Sequence, residues 1–147
     1  MKYHIDSVIL AEQSLLGALM QEPEKLVEVK AAVDVEDFYD EKNKDIYNAI
    51  LRLDEMEIIP DTTTIFEEIN NSGAFRNVDA SLYIVDLYDI TPSSRNIMHY
   101  ANLVKRYSIY REIRAALLSS TEEMNQGNAD IDSLTATLFD QVERAME

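Results

Sequence analysis

Glycine and proline are scarce in this chain, and most of them stand where helices would begin or end. The sequence holds three of each among its 147 residues. Pro23, Pro60 and Pro92 suit the first turns of helices, and Gly73 suits a helix C-terminus. The stretches between these residues carry apolar side chains at helical spacing, and the turn signals of β-hairpins are absent. The sequence therefore predicts an all-α fold.

Five short helical segments are predicted before Pro92. Their apolar residues lie within residues 9–20, 26–33, 46–53, 65–69 and 82–88. Asp40 can cap the third segment, and Thr64 with Glu67 has capping-box spacing in the fourth. Gly17 leaves room for a close contact between helices. We expect these segments to form a compact orthogonal bundle over residues 1–92.

The last third of the chain predicts two longer helices. The first runs from about residue 93 to about residue 126 and is broken by Gly127 and Asn128. The second runs from about residue 130 to the end and repeats apolar residues at helical spacing. Two helices joined by so short a turn form an antiparallel hairpin. We therefore expect a long helical hairpin arm over residues 93–147, within one structural domain overall.

One basic stretch stands out in an acidic chain. The formal net charge is −15, yet residues 95–114 contain one acid, Glu112, against five basic residues: Arg95, Lys105, Arg106, Arg111 and Arg114. At about 100° per residue these charges point in four directions around the helix. They do not form a stripe that could follow a phosphate backbone. The pattern favours solvated charges around a packing helix and predicts no strong binding to nucleic acid.

The same helix is apolar on nearly all sides after Tyr107. A helix of this kind must be covered from several directions, and the return helix covers only one of them. We therefore predict that the arm meets another chain, through a candidate interface of Ile109, Ile113, Leu117, Leu118, Ile131, Leu134 and Leu138. The alternative is that the globular bundle folds back over the arm.

The sequence offers no pattern for chemistry. It has no phosphate loop, and it has no cysteine to act as a nucleophile or to hold zinc, which suits a reducing, cytoplasmic location. Asn128, Asp130 and Asp132 imitate the start of a calcium loop, but Phe139 stands where its last glutamate would be. The acidic residues between 34 and 41 could bind a cation weakly, but a solvated connection with helix caps explains them better. No apolar run is long enough for a membrane span. We expect no catalytic residue, cofactor or metal.

Four blocks of sequence carry a family resemblance. In order they are "AEQSLLGALM" (residues 11–20), "DFYDEKNKDIYNAI" (37–50), "PDTTTI" (60–65) and "TPSSRNIMHYANLV" (91–104). Together they resemble the N-terminal domain of bacterial and phage replicative DNA helicases of the DnaB family. Asn43 stands where that family often has histidine, and Asp79-Ala80 replaces a common Gly-Gly.

This resemblance implies a docking role rather than catalysis. In the family the domain is a helical bundle with a hairpin; neighbouring hairpins pair, and six copies form a collar as a trimer of dimers. The collar receives the C-terminal domain of primase and influences helicase loading. ATP and Mg²⁺ are implied only for a separate C-terminal motor domain. We expect a fragment of such a helicase, with a helicase loader as a further partner. The alternative is a stand-alone collar mimic, such as a phage protein, that binds a helicase or its loader.

Overall fold

The computed structural model describes residues 2–75, 79–127 and 129–147, and the regular secondary structure of these residues consists of helices. The α-helices in these ranges are α1 (Ile5–Gln21), α2 (Leu26–Ala32), α3 (Glu41–Glu55), α4 (Thr62–Ser72), α5 (Ala80–Ile90), α6 (Ile97–Gln126) and α7 (Ile131–Met146). Short 3-10 helices at Pro23–Lys25, Val35–Asp37 and Ser94–Asn96 precede α2, α3 and α6. The predicted all-α fold, an orthogonal bundle followed by an antiparallel helical hairpin, is confirmed.

Side-chain caps fix where several of these helices begin. The Asp40 carboxylate accepts a hydrogen bond from the Asn43 backbone N–H at 3.1 Å, so the predicted cap of α3 is confirmed. The predicted capping box of Thr64 with Glu67 is wrong. Asp61 is the N-cap of α4, and it exchanges two 2.8 Å hydrogen bonds with Thr64. Because α4 begins at Thr62, Thr64 is its third residue rather than its cap.

Two helices approach each other closely at Gly17 of α1. A Cβ atom at this position would lie 1.7 Å from Thr91 Oγ1 and 2.3 Å from the Leu87 carbonyl oxygen. The end of α5 therefore approaches the backbone of α1 itself. Thr91 is held there because its hydroxyl donates to the Leu87 carbonyl at 2.8 Å. The sequence-based expectation for Gly17 is confirmed.

The core of the bundle lies between α1, α3, α4 and α5. α1 packs against α5 and α3, while α4 packs against both α3 and α5. Each of these helices contributes apolar side chains that are fully or almost fully buried: Leu15, Leu16, Leu19, Ile46, Ile50, Ile65, Ile69, Ile84 and Leu87. These residues lie within the segments that the apolar spacing predicted.

A buried polar network joins α1 to α3 and α5. Glu12 is 0% exposed, and its carboxylate accepts hydrogen bonds from the backbone N–H groups of Tyr39 (2.6 Å) and Asp40 (3.1 Å). It also accepts one from the Asn43 side-chain amide at 3.1 Å. The Asn43 carbonyl oxygen in turn accepts from the Tyr83 hydroxyl. The network gives the glutamate of the "AEQS" block a structural role, and it explains why an amide fits position 43.

The chain forms two compact units, Met1–Lys105 and Arg106–Glu147. The first turns of α6 belong to the first unit, so this division lies inside α6, whereas the sequence suggested a boundary at residue 92. The reason is burial, since Ile97, Ala101 and Val104 are at most 3% exposed. The second unit contains the rest of α6 and α7. Gly127, with φ +73°, follows the end of α6, and Asn128 lies outside the described residues.

Candidate assembly surface on the hairpin

The basic stretch is partly used for internal contacts. Lys105 Nζ lies 3.3 and 3.4 Å from the two carboxylate oxygens of Asp37, which is 4% exposed. Asp37 Oδ2 also accepts from the Asp34 backbone N–H, in a capping box of the 3-10 helix. Asp34, Asp37 and Asp40 of this acidic cluster thus take part in helix caps, and Asp37 is also the ion-pair partner of Lys105. The absence of nucleic-acid binding stays a prediction, resting on the net charge and the scattered directions of these residues.

Within the hairpin, each helix has a stripe of residues that are buried or half-buried. The stripes share the spacing i, i+4, i+7, i+11 and consist of Ile109, Ile113, Ala116 and Ser120 on α6, and Leu134, Leu138, Gln141 and Ala145 on α7. Ala116 and Ala145 are 5% and 4% exposed, and the larger side chains are half-buried. Two antiparallel helices bury the stripes that face each other, and from their burial we infer that these two stripes do so. We call these eight residues the seam of the hairpin.

Beside the seam, α6 presents an apolar groove to solvent. The groove has a volume of about 380 Å³ and is lined by Tyr110, Ile113, Arg114, Leu117, Leu118 and Thr121. Leu117 and Leu118 are 51% and 61% exposed. Met124, which lies seven residues after Leu117, is exposed as well and extends the same face by one turn. Arg114 and Thr121 supply polar groups beside an otherwise apolar surface.

The α7 helix carries a second exposed apolar edge. Ile131, Phe139 and Met146 are all more than 60% exposed, and their spacing puts them on one side of the helix. Leucine, isoleucine and phenylalanine side chains are ordinarily buried, and contiguous exposed apolar patches mark interaction sites. The hairpin therefore exposes apolar surface on both of its helices.

The structure divides the predicted interface residues into two groups. Leu117, Leu118 and Ile131 are exposed and free to meet a partner, whereas Ile109, Ile113, Leu134 and Leu138 lie half-buried in the seam. The prediction that all seven contact another chain is not tested by these positions and stays a prediction. Exposed apolar residues that the sequence-based interface omitted are Tyr110, Met124, Phe139 and Met146. Tyr110 and Met124 were detectable, because each lies seven residues from Leu117.

The described residues show no arrangement for metal chemistry. Within residues 2–75, 79–127 and 129–147, no group of three or more His, Asp or Glu side chains is placed to hold a metal ion. In the same part of the chain, no helix is both long and apolar enough to span a membrane. The groups whose pKa values are raised most clearly are in the bundle: burial, followed by the nearby Asp34 and Asp37 carboxylates, raises the pKa of Tyr47.

Known proteins resemble this chain over most of its length. A family model described as the DnaB-like helicase N terminal domain matches residues 6–106. The replicative DNA helicase DnaC of Bacillus subtilis (strain 168) is 32% identical over 105 residues, covering 71% of this chain and 23% of that helicase. The replicative DNA helicase DnaB of Geobacillus stearothermophilus is 29% identical over 126 residues, covering 86% and 28%. The chain thus spans about a quarter of these relatives.

A solved structure shares the fold. The crystal structure of the N-terminal domain of DnaB helicase from Mycobacterium tuberculosis superposes with a TM-score of 0.81 at 24% identity, covering 89% of this chain and 96% of that one. At this identity the likeness concerns the fold alone. Membership follows instead from the family model, which covers well over half of the chain. The chain belongs to the family of DnaB-like helicase N-terminal domains.

Proposed function

We propose that this chain is the scaffold and docking domain of a hexameric replicative DNA helicase. Its hairpins pair two by two, and three such pairs form the collar of the hexamer. The collar binds the C-terminal domain of primase or a helicase loader, and the proposal includes a cytoplasmic location. ATP hydrolysis and DNA translocation belong, in this proposal, to a separate motor domain that uses ATP and Mg²⁺. The domain itself carries no catalytic site or cofactor.

The observation that carries the proposal is the exposed apolar face of the hairpin. Leu117, Leu118 and Met124 on α6, with Ile131 and Phe139 on α7, are each more than half exposed. Removing such surface from water is favourable by roughly 25 cal/mol per Å². A second hairpin supplies a matching surface, because a two-fold contact brings the same patch of each chain together. The names of the relatives, all replicative helicases, support a replication role.

Self-association of the 147-residue chain tests the proposal. We expect a dimer with a dissociation constant in the micromolar range, since two hairpins bury a modest interface. The double variant Leu117→Asp/Leu118→Asp places two charges in the groove and should abolish dimerisation. Charges buried without partners cost several kcal/mol. Sedimentation equilibrium gives the masses, and circular dichroism shows whether the helices persist.

A matched variant separates the groove from the rest of α6. Ala115 and Ser119 are exposed on α6 and point away from the groove residues. Ala115→Asp/Ser119→Asp adds the same charge and should leave the dimer intact. A wild-type chain that stays monomeric at hundreds of micromolar would contradict the pairing of hairpins. Equal weakening by both variants would show that net charge, rather than the groove, controls association.

A further inference from the structure

A second apolar groove lies in the first unit, far along the sequence from the hairpin. It forms where the 3-10 helix Pro23–Lys25 and the start of α2 meet the loop after α3, and its volume is about 440 Å³. Its apolar lining consists of Pro23, Leu26, Ile58, Ile59 and Pro60. Leu26 and Pro60 are buried and form its base, whereas Ile58 and Ile59 are 41% and 71% exposed. Two adjacent isoleucines thus border a cavity large enough for two or three side chains.

The loop that presents these isoleucines has a defined structure. The Ile58 backbone N–H donates to the Leu53 carbonyl at 2.9 Å, and the Glu57 N–H donates to the Asp54 carbonyl at 3.0 Å. These two bonds form a Schellman motif at the end of α3. The residue in the left-handed position of this motif is Glu57, with φ +60°. Glycine is the usual residue there, because a side chain in this conformation lowers stability.

The charges around the groove are acidic. Glu24, Asp54 and Glu57 line it together with the apolar residues. Asp54 is paired with Lys30, whose Nζ lies 2.8 Å from the Asp54 carboxylate. Among the residues that the structure describes, Glu24 and Glu57 form no ion pair, and both are exposed. The groove therefore combines an apolar base with two unbalanced negative charges on its border.

We propose that this groove binds a basic amphipathic segment of a partner protein. Apolar side chains of the segment fill the space over Leu26 and Pro60, and its lysine or arginine side chains pair with Glu24 and Glu57. Charge complementarity of this kind selects a basic partner and disfavours a second copy of this acidic chain. The inference rests on the proposed docking function and deepens it by naming the chemistry of the docked segment.

A synthetic peptide provides the probe. It is about 15 residues long, with leucine on one helical face and lysine on the other; a second peptide has glutamate in place of each lysine. We expect the basic peptide to bind the 147-residue chain in ~150 mM salt and to shift the methyl NMR signals of Ile58 and Ile59. The signal of Ile131 in the hairpin should not move. Binding of the acidic peptide with equal affinity would overturn the proposal.

Charge-reversal variants distinguish the groove from the general acidity of the chain. Glu24→Lys/Glu57→Lys should lower the affinity for the basic peptide about tenfold, which is the loss expected for two partly exposed ion pairs. Glu67 and Asp86 are exposed acids outside the groove lining, so Glu67→Lys/Asp86→Lys makes the same change in net charge. This control should change the affinity less than about threefold. If both variants lower the peptide affinity equally, binding depends only on the net charge of the chain, and the proposal would fail.

Glu57→Gly tests the cost of keeping a glutamate in the left-handed position. Glycine relieves the backbone at this residue, so the thermal midpoint should rise by a few degrees. Peptide affinity should fall at the same time, because one carboxylate of the border is lost. A higher midpoint with unchanged affinity would overturn the role assigned to Glu57. The dimer mass of the wild-type chain separates the two proposals: a wild-type chain that forms the dimer but does not bind the basic peptide contradicts only the groove.

Discussion

The bundle and the hairpin use similar apolar side chains in opposite ways. Leu15, Leu16 and Leu19 of α1 are 0% exposed, whereas Leu117 and Leu118 of α6 are 51% and 61% exposed. In the bundle, neighbouring helices cover α1 from more than one side. In a two-helix hairpin, each helix has only one helical neighbour within the unit. The difference shows that an apolar stripe predicts burial only where enough neighbours exist to cover it.

The polar contacts of the bundle reach farther along the sequence than the hairpin contacts named below. In the bundle, Glu12 and Asn43 are buried and connect residues that are 27 to 40 positions apart. In the hairpin, the Thr121 hydroxyl donates to the Leu117 carbonyl and Arg144 pairs with Asp140, and each of these contacts joins residues four positions apart. Local contacts support individual helices but add little that fixes one helix against another.

The largest expected difference in stability between the two units comes from replacing one glycine of each with alanine. Gly17→Ala should lower the free energy of unfolding of the bundle by about 3–5 kcal/mol, because the new methyl group overlaps Thr91 and the Leu87 carbonyl. Gly127→Ala meets no atom within 4 Å and only loses the freedom of glycine at φ +73°, at a cost of about 1 kcal/mol. Urea unfolding followed by circular dichroism measures both. Similar losses for the two variants would contradict the close contact at Gly17.

Removing the charge of Glu12 should have the next largest effect. Glu12→Gln replaces an acceptor of several N–H groups with an amide whose NH₂ group faces donors, so we expect a loss of about 2–3 kcal/mol. Glu122→Gln, at an exposed position of the hairpin, should change stability by less than about 0.5 kcal/mol. Chemical unfolding of both variants provides the measurement. A Glu12→Gln variant as stable as wild type would show that the network adds little.

The smallest effect concerns the pH dependence of the bundle. Burial raises the pKa of Tyr47, whose hydroxyl donates to the Val33 carbonyl at 2.8 Å. Because its pKa is higher in the folded state, the stability linked to Tyr47 is complete below the unfolded pKa of about 10. It is lost as the pH rises from there towards the folded pKa, by up to about 1.4 kcal/mol per pH unit.

Tyr47→Phe isolates this linkage. The variant should lose about 1 kcal/mol near pH 8, where the hydrogen bond is missing, and should lose less additional stability than wild type between pH 10 and pH 11. Tyr83, whose pKa is also raised mainly by burial, keeps part of the alkaline dependence in both proteins. Urea unfolding at pH 8, 10 and 11 gives the comparison. Parallel alkaline losses in the two proteins would contradict the assignment to Tyr47.

Local sequence signals were sufficient for much of the fold. The position of Asp40 before an apolar-periodic segment predicted the start of α3, and Gly73 predicted the end of α4, where it adopts φ +75°. Thr64 and Glu67 show the limit of such signals. Their spacing fits a capping box, but Asp61 and Thr64 have the same spacing. The capping box forms at Asp61, and α4 therefore begins before Thr64. Competition between neighbouring signals is decided by the geometry of the whole turn.

The candidate site was predictable in its location but not in its detail. The absence of a single apolar face after Tyr107 indicated that the hairpin needs cover from outside. Which residues supply the exposed surface depends on the direction of α7, since Leu134 lies half-buried in the seam while Phe139, five residues later, is 69% exposed. The groove at Ile58 and Ile59 gave no periodic signal, because it arises where a 3-10 helix meets a loop from another part of the chain.

The sequence alone determined the helical class, the approximate helices and the likeness to one helicase domain family. These properties depend on spacing and on short-range caps, which act within a few residues. Tertiary structure decided the roles of Gly17, Glu12 and Lys105, because their partners lie 27 to 74 positions away. It also decided which apolar side chains remain exposed. Burial is a property of neighbours in space, and helical periodicity reveals which face of a helix is apolar but not what covers that face.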